Sequence, residues 1–128
     1  MLDLDKPQIM ALFDFDVAVS RIHDAYVASA QGNVQTGDIV HLAFPEANGD
    51  CHIKSGHIAG TASYVIKIAS GFYDNPAKGL SSSNGMMLAF SANTGEPLAI
   101  LRVLSQSSAS DGMRRFFERS YPASAANC

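Results

Sequence analysis

At 128 residues, 47% of them hydrophobic, and with a formal net charge of −3, the chain has material for one core of ordinary size and none for a second full domain. Its nine basic residues are dispersed, which leaves no basic stripe for a nucleic acid or an anionic membrane, and no apolar run approaches the roughly 18 residues of a membrane span. The first residues carry acids where a secretory leader would carry bases, so a soluble, cytoplasmic protein is expected.

Asp3 and Asp5 precede Pro7, and acids ahead of a proline in a first turn predict a short helix ending at Phe13. Asp14 caps a second helix, with Asp16 in its first turn. Phe15, Val19, Ile22, Tyr26 and Ala30 recur at spacings of three and four, and Gly32 ends the pattern.

Beyond Gly32 the helical period is lost. Segments 39–44, 51–55, 64–70, 86–91 and 98–104 are rich in branched and apolar residues and separated by glycine-containing turns, which predicts about five strands. Asn48-Gly49-Asp50 and Asn93-Thr94-Gly95 read as hairpin turns, so much of the sheet should be an antiparallel meander. The expected class is α+β, with amino-terminal helices followed by a mostly antiparallel sheet. A domain of residues 1–104 is followed by a divergent tail, 105–128. There Asp111 is placed to cap a short helix with Met113, Phe116 and Phe117 on its apolar face, and residues 122–128 should fray.

The run from Lys67 to Leu80 is the part expected to face a ligand. Lys67 lies among Tyr64, Val65, Ile66, Ile68 and Ala69, and a lysine in such a run either snorkels to water or meets an anion. Gly71 and Gly79 permit a positive φ in the loop that follows, and Pro76 biases Asn75 away from helical backbone. Strand parity puts His52 and Lys54 on one face and Cys51, Ile53 and Ser55 on the other. Were both strands to present their lysines to one crevice, Lys54 and Lys67 would form a receptor for a carboxylate. Lys54 by itself reads more readily as a solvated strand residue.

The remaining candidates carry less. Cys51, His52 and His57 fall within seven residues, yet adjacent strand residues diverge and no paired CxxC or HxxxH occurs, so no metal site is expected. His41, in an apolar strand, suits a hydrogen-bonded place in a core or at an interface. Cys51 and the terminal Cys128 do not indicate a disulfide. Residues 81–85, Ser-Ser-Ser-Asn-Gly, could turn hydroxyls and amides toward an anion or form a plain turn before a strand. No GxSxG elbow or Walker loop is present, and the ten glycines include no GxG pair, which excludes a dinucleotide fingerprint from this chain.

The order K-x-x-x-G-x-x-x-N-P-x-x-G-L from Lys67 to Leu80, then Gly85-Met-Met-Leu-Ala-Phe90 and Thr94-Gly-Glu-Pro-Leu-Ala-Ile-Leu101, resembles the ornithine cyclodeaminase/μ-crystallin family. With the preceding helix and the Gly56-to-Gly60 hairpin, the similarity covers roughly residues 1–101. The resemblance implies an amino-terminal substrate-binding and dimerisation domain dominated by an antiparallel sheet, from NAD(P)-dependent enzymes of amino or cyclic imino acids. By resemblance, Lys67 matches the lysine that contacts the substrate carboxylate, and Lys54 matches a basic position in members reading H-I-K-x-G. Many members carry a carboxylate-gripping arginine in the preceding strand, whereas residues 36–42 here contain none. After Leu101 the family continues into an L-T-x-x-R-T-A motif, onto which Arg114 and Arg115 do not map.

The functional expectation is therefore part of an ornithine cyclodeaminase-like oxidoreductase or deaminase, as a fragment, a frameshift product or a short paralogue. It would retain the carboxylate-binding half, form a homodimer, and carry no Rossmann domain, no NAD(P) and no activity alone. The alternative is a non-catalytic module for small-acid binding or dimerisation.

Overall fold

The computed structural model describes residues 1–104 of the chain; the expected tail helix and Cys128 lie outside them. In order, the elements are β1 (Leu2–Leu4), α1 (Lys6–Leu12), α2 (Phe15–Ala30), β2 (Val34–Thr36), β3 (Val40–Phe44), β4 (Gly49–Ile58), β5 (Ser63–Phe72), β6 (Ser83–Ser91) and β7 (Pro97–Leu104). Short 3₁₀ turns at Pro45–Ala47 and Asn75–Lys78 interrupt the connections.

Local chemistry fixes both helix starts. Asp5 accepts from the Gln8 amide while the Gln8 side chain accepts from the Asp5 amide, a reciprocal capping box, and Pro7 fills a first-turn position where no amide hydrogen is needed. Asp14 accepts from the Val17 amide at 3.0 Å, and α2 ends before Gly32, which takes a φ of +74°.

The seven strands form one sheet in the order β1-β7-β6-β5-β4-β2, with β3 also paired to β4. All the pairings from β2 to β7 are antiparallel, and β1 alone runs parallel to its neighbour, β7. The ten-residue β4 carries two short partners along one edge: β3 pairs with residues 49–53 and β2 with 56–58. Between them Gly37 passes close to β4, where a Cβ would meet the Ser55 hydroxyl at 2.5 Å.

Three expectations about turns are corrected. Asn48-Gly49-Asp50 is not itself the hairpin turn. Phe44 pairs with Gly49, the reversal is made by Pro45–Ala47 and by Asn48 in the left-handed region, and Gly49 and Asp50 already belong to β4. In the loop after Lys67, only Gly79 uses a positive φ, at +71°; Gly71 is a strand residue opposite Asp50. The pre-proline bias at Asn75 is likewise overridden, since Asn75 opens the 3₁₀ turn and its side-chain amide donates to the Ser81 carbonyl.

Strand register sorts side chains onto two unlike faces. One carries Val40, Leu42, Ile53, Ile66, Ile68, Met86, Leu88 and Ile100, with a stacked Tyr64–Phe90 pair. The other carries His41, His52, Lys54 and Lys67 above a floor of small residues. Helix α1 packs along β7 and α2 along β2. Among the described residues none is buried, and the α2 stripe of Phe15, Val19, Ile22 and Tyr26 is exposed. The residues 1–104 thus present apolar surface on both sheet and helix in place of a closed two-layer core.

Candidate functional site

Lys54 and Lys67 are cross-strand partners, directly opposite one another on β4 and β5. The register thus unites the two lysines that the sequence could place only on separate strands. Both are exposed, and among the described residues neither takes part in an ion pair. Like charges directly opposite on a sheet repel, so the pair is better accommodated when an anion lies between the two ammonium groups.

The surface beside Lys67 is hollowed by missing side chains. Lys67 pairs with Met87, Ala69 with Gly85, and Gly71 with Ser83 along β6. Gly85 is needed for this closeness, because a Cβ there would lie 2.8 Å from the Ile68 carbonyl oxygen. The outcome is an open trough of about 350 Å³ lined by Lys67, Ala69, Gly85 and Met87, with Asp50 and His52 on its β4 side. That volume suits a small ligand. Lys54, though opposite Lys67, is not among the residues that line it.

Other candidates are placed as follows. His52 shares the lysine face, whereas Cys51 and His57 lie on the opposite one, so the trio considered for a metal is not assembled. His57 Nε2 is 3.2 Å from the Thr61 carbonyl oxygen. His41 does not occupy a core. It is exposed, and its ring stacks on that of His52 with centroids 4.5 Å apart. The Ser81 hydroxyl donates to the Ser83 carbonyl at 2.9 Å, and the Phe72 amide donates to the Ser82 carbonyl, so residues 81–83 serve the entry to β6. Arg102 is tied to Asp3 on the apolar face and does not reach toward the lysines. Arg114 and Arg115 lie outside the described residues.

Fold and trough together define a class: an open α+β sheet domain with a basic, hollowed face and an apolar opposite face. The chain is 42% identical over 95 residues to an uncharacterised cyclodeaminase of Sinorhizobium fredii, a match covering 73% of this chain and 28% of that protein. By these matches it resembles an amino-terminal part of proteins of the ornithine cyclodeaminase/μ-crystallin family. Among solved structures it superposes on an archaeal alanine dehydrogenase dimer with bound NAD, with a TM-score of 0.75, 26% identity, and coverage of 94% of this chain and 37% of that one. The fold also matches the Thermococcus litoralis Δ1-pyrroline-2-carboxylate reductase solved with NADH and L-proline, with a TM-score of 0.74, 20% identity, and coverage of 80% and 32%. No family model matches the chain. The chain spans 26 to 30% of the length of the curated relatives it matches.

Among the described residues no glycine-rich turn leads from a strand into a helix, and both helices precede the sheet meander instead of crossing between parallel strands, so residues 1–104 show no dinucleotide-binding turn.

Proposed function

We propose that this chain supplies the substrate-carboxylate side of an ornithine cyclodeaminase-like, NAD(P)-dependent enzyme, and that Lys67, assisted by Lys54, receives the carboxylate of a small amino or imino acid. The observation that carries this reading is the direct cross-strand pairing of Lys54 with Lys67 beside a trough floored by Ala69 and Gly85. An exposed like-charge pair costs a little in the empty protein, and that cost is relieved by a bound carboxylate. Each ammonium acts as a point charge with three donors, which suits a ligand whose carboxylate can tilt between them.

In this reading the lysine face holds and orients the acid, and the dinucleotide supplies the hydride chemistry from parts of the enzyme other than residues 1–104. The apolar face pairs with a second copy, giving a homodimer. The bare sheet face and the dimeric state of the archaeal alanine dehydrogenase both support this.

Calorimetric titration of the chain with proline, alanine, ornithine and pyrroline carboxylates tests the receptor. The expected result is saturable binding of at least one of them, lost in Lys67→Ala and weakened about tenfold in Lys54→Ala, with both variants as stable as the parent. Binding that survives Lys67→Ala, or no binding of any of these acids, removes the reading. In that case the alternative of a dimerisation module without a ligand site, favoured by the apolar face alone, takes its place.

A further inference from the structure

His41 on β3 lies directly opposite His52 on β4, and Asp50 precedes His52 by two residues on the same face. The Asp50 carboxylate is shared between the rings. His41 Nε2 is 3.9 Å from Oδ2, and His52 Nδ1 is 4.0 Å from Oδ1. One ligand atom from each of the three residues lies within 4.8 Å of the others. We propose that His41, Asp50 and His52 form a binding site for a late first-row divalent metal ion, with Zn²⁺ as its natural occupant.

The chemistry of the donors selects the ion. Two neutral imidazoles and one carboxylate make a three-ligand set with a fourth position left open, whereas Mg²⁺ and Ca²⁺ require oxygen-rich shells that this cluster does not offer. Ligand atoms around a tetrahedral zinc ion, with bonds of about 2.0–2.1 Å, stand about 3.4 Å apart, so the two His–Asp separations need to close by roughly half an ångström and the widest separation, at most 4.8 Å, by up to about 1.4 Å. The two rings stack at an interplanar angle of 15°, which confines their in-plane lone pairs to nearly parallel planes. Turning each ring about its outer torsion makes them converge, and side-chain exposures of 51% for His41 and 41% for His52 leave room for it.

Access is open on the β5 side. Gly71 faces Asp50, and a Cβ there would sit 3.4 Å from Asp50 Oδ1 and 3.3 Å from the Tyr73 hydroxyl, so the glycine leaves the carboxylate approachable and brings a phenol to the same spot. The charges facing the cluster on this side of the sheet are Lys54, two residues further along β4, and Lys67 across from it. These oppose a bare cation. Coordination by nitrogen must therefore outweigh them, which again favours zinc over a hard ion bound by charge alone.

The experiment is a Zn²⁺ titration of the full chain, followed by calorimetry and by imidazole ¹H–¹⁵N spectra. The chain has four histidines, at 23, 41, 52 and 57, so each ring can be followed. Expected is one zinc per chain, with His41 and His52 signals moving while those of His23 and His57 stay, and with no response to Mg²⁺. Replacement by His41→Gln or His52→Gln should weaken binding roughly tenfold or more, and Cys51→Ser, on the opposite face, should leave it unchanged. Zinc that moves all four rings alike, that persists in the doubly replaced protein, or that shows no saturable binding overturns the proposal. The ring spectra of the unaltered chain decide even where a variant folds poorly, and because Asp50 and His52 also line the trough, the amino-acid titration above is run without zinc and read separately.

Discussion

Gly85 sits opposite Ala69 where β6 pairs with β5, and what it lacks shapes the trough. A Cβ at this position would press on the Ile68 carbonyl, a main-chain atom that cannot swing aside as a side chain can. Gly85→Ala is therefore expected to destabilise the domain by on the order of 1–3 kcal/mol, read from the urea midpoint, while narrowing the trough beside Lys67. Gly56→Ala is the matched control. There the nearest atom to a Cβ is the Gln35 carbonyl oxygen at 3.7 Å, ordinary contact, so the change should stay below about 1 kcal/mol. Equal losses in the two variants would show that the close approach at Gly85 has no energetic weight. At this scale the sequence was readable wherever period two sufficed, as in the separation of Lys54 and His52 from Cys51 and Ile53. It was silent on which residues face each other across strands. Spacing within β4 offered His52 and His57, on opposite faces, whereas the neighbour of His52 came from β3 through a register that no local pattern encodes.

The elements follow a similar division. Helix α2 was legible from its cap, its three-and-four spacing and its closing glycine; the cap corresponds to the Asp14–Val17 hydrogen bond and the glycine to a φ of +74°, while the apolar stripe is exposed in residues 1–104. Asp14→Ala removes the acceptor for the Val17 amide and should cost about 1 kcal/mol, with Asp14→Asn or Asp14→Ser retaining most of it in thermal or urea melts. A loss below about 0.3 kcal/mol would mean that α2 is fixed by its surroundings and not by its cap. The strands β1 and β2 leave no signal in the sequence because each has three residues, too few to show alternation, and each is held by a partner distant in sequence. Leu2 to Leu4 pairs with residues 99–101, so the amino terminus closes the sheet edge through a contact that only the folded chain reveals. At the Asn48 turn, composition announced a reversal. It could not say that the 3₁₀ turn at Pro45–Ala47 would carry it and leave Gly49 and Asp50 in the ladder.

For the whole molecule the governing fact is that residues 1–104 form one sheet with helices at its margins, so its apolar face needs another layer. Ile66 and Ile68, on central β5, stand between Ile53 on β4 and Leu88 and Met86 on β6, and together they make a continuous branched and thioether surface. A second copy placed face to face would cover this surface and would leave the two lysine troughs pointing outward, one on each side of the pair. The arrangement predicts a dimer in sedimentation velocity across micromolar concentrations. Ile68→Lys, which sets a charge in the middle of the apolar face, should shift the protein toward monomer without disturbing the lysine face. Acid binding measured on that variant separates the two faces: retained affinity in a monomer shows that each trough is complete within one chain. A protein that sediments as a monomer before any substitution would instead assign the cover of this face to something other than a second copy. The same measurement bears on stability. If the sheet is held by its partner, the melting temperature must rise with protein concentration, and Ile68→Lys must abolish that dependence.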